Sequence, residues 1–349
     1  MRIIAFDYFR GIAILFIVAG HSYGHWAIDS FGERVLANLI TGGTALFVFI
    51  SGFFFHYVYY EKFHYKEFLE KKAKQVLLPY LILSVIGIVY YVLSLDPLPF
   101  AGALGIKKPE SWMKFIEVVT IYLWTGRIAN TYWYIPFILI IFIISPFFIR
   151  YIKLPAAYRI YIFLILLIAA MFIHRPVKNL SPLHSVLYFM PIYMLGIICS
   201  IHRDSVVEFI KGKSIIIGLV VLFLSVLQVL LFKGHGNFHK EEIFSYGGVD
   251  IIILQKIAMC FFFLSILQKY ENSNIPALKL LASSSFAIFF IHPWILEMFL
   301  KTGVLSFLEF LPGMEIFLMT ALLALISSFL VAYIIKLGLK NNSRYVTGW

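Results

Sequence analysis

Arg10 and His21 stand eleven positions apart inside an otherwise apolar run near the start of the chain. At 3.6 residues per turn that is almost three full turns of helix, so both project from one face, about 16 Å apart along the axis. A cation at one level and an imidazole further along the same wall suit a path that holds an anionic ligand by one end and reacts at the other. Histidine, with an unperturbed pKa of about 6.5, serves as a general base near neutral pH. Asp7 lies three residues before Arg10, within reach of an ion pair. His25 continues the stripe four residues beyond His21. The plainer alternative is polar glue between helices, with Arg10 snorkelling to the nearer surface. Against it, a charge in mid-span costs about 2.5–3.5 kcal/mol on insertion scales, and serine, threonine or asparagine would glue helices more cheaply.

The elements that must position these residues are membrane helices. Hydrophobic residues make up 61% of the 349 and charged residues only 13%, about half the charge a soluble protein needs to coat itself. Apolar runs fall at about 4–26, 38–60, 76–95, 132–152, 158–174, 185–201, 214–232, 249–268, 278–300 and 312–337, each near the roughly 20 residues that cross a bilayer core. The expected fold is an all-α membrane protein, a polytopic bundle of about ten transmembrane helices, with 1–349 as one membrane domain. A net charge of +11 would suggest nucleic acid in a soluble domain. Here it reads as topology: with the N-terminus inside, the inner segments hold about 17 Lys plus Arg against about 10 outside, which favours a multi-pass protein with both termini cytoplasmic and no nucleic-acid partner. Arg10 interrupts the first run and no small-residue cleavage site follows, so this segment is expected to be a retained span. The outer loop Asp96 to Thr131 carries an apolar piece, Phe115 to Trp124, too short to span and expected to be interfacial or re-entrant. Cys199 and Cys260 sit in apolar runs without a CxxC, which argues against a disulfide framework and a thiolate metal site.

Several segments occur in an order that resembles the membrane-bound acyltransferase-3 family. Asp7-x-x-Arg10-Gly11, then ten residues between Arg10 and His21, resembles its opening. Phe47 to Phe53, with Ser51-Gly52, resembles its Phe-rich second span. Lys71-Lys72-Ala73-Lys74 before Pro79-Tyr80 resembles its basic run entering the third span. Trp133-Tyr134 before Ser145-Pro146, Tyr193 to Gly196, and Ser285-Phe286 before His292-Pro293 resemble later steps. The resemblance implies the transmembrane-only form of an O-acetyltransferase: acyl transfer from cytoplasmic acyl-CoA, by default acetyl-CoA, to a hydroxyl of a cell-surface polysaccharide or lipid-linked glycan at the plasma (inner) membrane. No bound cofactor or metal is implied; acetyl-CoA is the acyl-donor substrate, and a homo-oligomer is left open. Carried over, His21 is the base or transient acyl carrier and Arg10 holds the donor, with Lys72, Lys74, Ser51 and Trp133 as further donor-binding positions. Asp7, His25, Tyr134 and His292 support them. Lysines stand at Lys71, Lys72 and Lys74 where the family more often has arginine, giving phosphate a point charge instead of a bidentate fork.

A rival from another class is a transporter or flippase for lipid-linked glycans, with Arg10 and His21 binding a phosphate in transit; the absence of an internal repeat speaks against it. His292 before Pro293 has a bland role as partner of a backbone carbonyl near a kink. Lys256 and Glu297 fall at comparable depth and are expected to pair across helices. The loop from Lys233 to Glu242 mimics a metal site, but its glycines and lysines read as solvated loop.

Overall fold

The computed structural model describes residues 3–232 and 234–349; Met1, Arg2, Lys233 and the side chain of His25 lie outside the described residues. The chain is helical nearly throughout. In order it forms α1 (Ile4–Gly20), α2 (Phe31–Ile40), α3 (Thr44–Phe54), α4 (Tyr65–Lys72), α5 (Leu78–Leu93), α6 (Ala101–Leu104), α7 (Trp112–Thr125), α8 (Tyr134–Ile143) and α9 (Ser145–Ile152). Then follow α10 (Ala156–Ile173), α11 (Pro182–Ile201), α12 (Arg203–Ile210), α13 (Ser214–Phe232), α14 (Ile252–Leu267), α15 (Pro276–Thr302), α16 (Gly313–Leu339) and α17 (Ser343–Val346). Two two-residue strands, β1 (Arg175–Pro176) and β2 (His239–Lys240), pair in parallel with Arg175 opposite His239.

Among the described residues eight helical stretches are long and apolar enough to cross a membrane, or nine if α8 and α9, bent by 56° at a break, make one span. The chain is thus an all-α polytopic membrane protein. The difference from the expected ten is α1. Its run does not continue to residue 26: the helix stops at Gly20, the His21 N–H bonds back to the Val18 carbonyl, and the Ser22 hydroxyl donates to the same carbonyl at 2.8 Å. Gly20, Ser22 and Gly24 weaken helix propagation here, serine by competing for backbone bonds. What remains is 17 residues, about 25 Å of helix.

α1 is the centre of the bundle. It packs most extensively on α15 and also touches α14, α3 and α16. α10, α13 and α16 turn most of their apolar side chains outward, as a lipid-facing surface requires, whereas α11 is buried almost all round. Within this packing α3 and α11 touch backbone to backbone. A Cβ on Gly52 would fall 1.9 Å from the Tyr193 carbonyl oxygen, and one on Gly196 would fall 2.2 Å from that of Phe49. Small residues at such a crossing let helices approach closely where no hydrophobic effect drives them together.

Long-range polar contacts close the helix ends. The Glu271 carboxylate accepts from the Ile4 and Ala5 N–H groups at 3.0 and 2.7 Å, capping the N-terminus of α1. α2 carries its own capping box, Ser30 with Glu33. At the other end of α2, buried Lys256 donates to the Asn38 and Leu39 carbonyls at 3.0 and 3.3 Å. This corrects the expected Lys256–Glu297 pair. Glu297 instead accepts from Tyr91 and lies 3.5 Å from Lys301, four residues along its own helix. Reading the two runs for depth alone missed α2, whose last-turn carbonyls are the nearer partner for an ammonium. The apolar piece in the outer loop is α7, too short to span, held by the Tyr80 hydroxyl on its last carbonyls. The loop after α13 is more than solvated chain: β2 anchors it to β1, and Lys240 is buried against the Phe172 and Ser245 carbonyls.

Candidate active site

Arg10 opens into a cavity of about 610 Å³ between α1, α3, α8, α11 and α15. Arg344 and Gly348 line it toward the end where the chain termini lie, and Lys72 beside Tyr59 lines it on the α4 side. Asp7, Arg10, Ser51, Tyr134 and Ser285 line it further in, and Ile17, Phe47 and Phe289 complete the wall. Each polar residue has a reason to be there. Arg10 Nη2 donates to Ser285 Oγ at 3.5 Å, across the α1–α15 contact. Ser51 is carried in by the close α3–α11 crossing at Gly52, and Tyr134 lines the same wall. Lys72 is enclosed by aromatic rings, with its Nζ 5.0, 5.4 and 4.7 Å from the ring centres of Tyr59, Phe68 and Phe142. Such faces stabilise an ammonium without neutralising it. The cavity therefore presents three cations, Lys72, Arg10 and Arg344, with the Asp7 carboxylate, on a largely aromatic and aliphatic wall.

His21 lies past the end of α1 and does not line this cavity. Its ring is 5.7 Å from that of His292 on α15, so Arg10 and His21 do share the face of α1 that meets α15. His292 Nδ1 donates to the Ile288 carbonyl at 2.9 Å, the bland role expected beside Pro293. That bond leaves Nε2 as an acceptor, buried and without a hydrogen-bond partner among the described residues. On its other side His21 meets Asn130, whose amide nitrogen is 3.3 Å from His21 Nδ1. The orientation of that amide is set by Arg127, which donates to the Asn130 side-chain oxygen at 3.2 Å and to its backbone carbonyl at 2.8 Å. Asn130 must then donate to His21 Nδ1. Neutral His21 carries its proton on Nε2 and offers Nδ1 as the basic nitrogen. Asn130 is exposed and His21 partly so, which opens this nitrogen to the end opposite the termini.

The residues singled out from sequence separate into two groups. Arg10, Asp7, Ser51, Lys72 and Tyr134 come together around the cavity. Lys74 falls in the π-helical turn after α4 and is absent from the wall. Trp133 is buried one position before Tyr134, stacked on Phe189 with Arg175 over its face at 4.9 Å, and belongs to the His21 side. The side chain of His25 lies outside the described residues, and its backbone is in the short 3-10 turn that follows α1. Sequence reading missed Arg127, Asn130 and Arg175. The two arginines entered only as loop charges for topology, although both are almost wholly buried; an arginine close to aromatic residues was the signal available.

The Acyltransferase domain family matches residues 3–337 of this chain. No curated protein matches it significantly. No solved structure does so either. The match takes in α1 with both its polar residues, the cavity wall from Ser51 to Phe289 and the His292 turn. The chain belongs to the acyltransferase-3 family of membrane proteins.

Proposed function

We propose that this protein transfers an acetyl group from acetyl-CoA, taken up at the terminal end of the bundle, to a saccharide hydroxyl presented at the opposite end. The observation that carries the reading is the separation of two polar groups along one helix: Arg10 in a cation-bearing cavity on one side, and His21, just past the helix end, against Asn130 and His292 on the other. CoA is polyanionic with a thin pantetheine arm. Lys72 at the cavity wall suits its phosphates, and the aromatic interior suits the arm, with Arg10 further in. The positive-inside count favours a cytoplasmic terminal end, and the resemblance to the family implies a cell-surface polysaccharide or lipid-linked glycan as the acceptor outside the plasma membrane.

The chemistry requires a base and a home for negative charge. As the acceptor oxygen attacks the thioester carbonyl, His21 Nδ1 takes the hydroxyl proton in place of the Asn130 contact. The C–S bond then breaks, and the proton passes to the departing thiolate, so charge and atoms balance. The hydroxyls of Tyr134 and Ser51, on the wall of the donor cavity, are the donors that suit a developing oxyanion. His292, its ring centre 5.7 Å away, is the neighbouring group that the doubly protonated His21 ring would meet.

The test is labelled acetyl-CoA with protein purified in nanodiscs. Wild type should bind it, Lys72→Gln should weaken binding about ten-fold, and His21→Ala should bind but not turn over. Folded wild-type protein that fails to bind acetyl-CoA would sink the reading.

A further inference from the structure

Two guanidinium groups are buried beside His21, and neither is fully used. Arg127 is 2% and Arg175 is 4% exposed. Arg127 lies flat on Phe100, 3.6 Å from the ring centre, and its two terminal nitrogens hold Asn130. Arg175 lies over Trp133 and Phe189 and gives one terminal nitrogen to Asn179 at 3.0 Å. The Nε atom of each is buried and has no hydrogen-bond partner among the described residues.

The charge is under-compensated as well. The acid that acts on Arg175 is Asp250, and its two oxygens already accept from the Tyr188 hydroxyl and the Ile252 N–H, both at 2.8 Å. The other titratable groups that act on this corner are the Tyr188 phenol, already hydrogen-bonded to Asp250, and the bases His21, His174, His239, His292 and Lys256, none of them a carboxylate. Burial, and then the Arg175 charge beside it, hold the Arg127 guanidinium below its ordinary value. Burying a cation is costly unless an anion and hydrogen bonds compensate it. Aromatic faces above both planes hold the guanidiniums in place while leaving their edges to bind, the arrangement arginine uses for planar oxyanions.

Position connects the pair to the reaction. Arg127 reaches His21 through a single asparagine, and Arg175 stands next to Trp133 at the same end of the bundle, opposite the cavity that suits the donor. We infer that Arg127 and Arg175 form an oxyanion subsite for the acceptor, which makes the acceptor an acidic saccharide carrying a carboxylate or phosphate close to the hydroxyl that is acylated. The inference rests on the acyltransferase reading for the word acceptor; the anion site itself does not depend on it.

Ligand-induced thermal stabilisation of the purified full chain in nanodiscs, at constant ionic strength, tests it. The probes are glucuronate, inorganic phosphate and neutral glucose. Wild type should be stabilised by glucuronate or by phosphate and not by glucose, and whichever anion acts identifies the acidic group. Arg127→Gln and Arg175→Gln should each weaken that anion at least three-fold. Arg127→Lys and Arg175→Lys, which keep the charge and lose the fork, stand in should the glutamine variants not fold. Wild type unmoved by both anions, or anion binding unchanged in the arginine variants, would overturn the subsite. Failure of acetyl-CoA turnover with anion binding intact would instead count against the acyl-transfer reading and leave the subsite standing.

Discussion

At the residue scale the account turns on which nitrogen of His21 is basic. Arg127 orients Asn130, and Asn130 in turn fixes His21 with Nδ1 as the acceptor. Removing that chain leaves the imidazole present but free to adopt the other tautomer. Asn130→Ala should therefore lower kcat by about ten-fold with acetyl-CoA affinity unchanged, the size of effect typical when a ligating histidine loses its orienting partner. His21→Ala should lose far more, about 10²–10⁴-fold, because the base itself is gone. Equal losses in the two variants would mean Asn130 does more than orient. Arg10 and His21 were legible as a pair because a charge in an apolar run is conspicuous and helical spacing is rigid. Asn130 was not, because a loop asparagine carries no such contrast. Lys256 shows the limit from the other side: its charge was conspicuous, but its partners are backbone carbonyls that no sequence pattern marks.

At the element scale two features hold the cavity in shape. The α3–α11 crossing admits no side chain at Gly52, where a Cβ would meet the Tyr193 carbonyl oxygen at 1.9 Å. Gly52→Ala should push the helices apart and displace Ser51 in the cavity wall. The expected cost is about 1–3 kcal/mol, as for overpacking elsewhere, read as a lower melting temperature with reduced turnover; an unchanged melting temperature would show that the crossing yields. α1 is closed at its N-terminus by Glu271, whose sequence neighbourhood gives no hint of a cap for a helix at the far end of the chain. Glu271→Ala should destabilise the protein by about 1 kcal/mol, the usual worth of an N-cap, and Glu271→Gln by less, since its amide oxygen still accepts. The spans themselves were readable because lipid demands long apolar runs. Their ends were not, since α1 stops at Gly20 through local serine and glycine chemistry and α2 depends on a capping box outside the apolar run.

At the scale of the whole molecule one helix joins a cavity at one end to the His21 corner at the other. The cavity that suits a donor opens toward the termini, and the His21 corner faces away from them with a surplus of buried positive charge. Family membership accounts for the general activity. In the proposed reading the sidedness gives that activity a direction, from a soluble thioester to an acceptor across the membrane. The decisive measurement is mass spectrometry of surface glycans from cells that carry the wild-type chain, His21→Ala or a deletion. The account predicts an acetyl-sized increment on an acidic glycan with wild type that is lost in both other strains. A surface glycan of identical mass in all three, or an unmodified glycan that accumulates inside the cell on deletion, would contradict it.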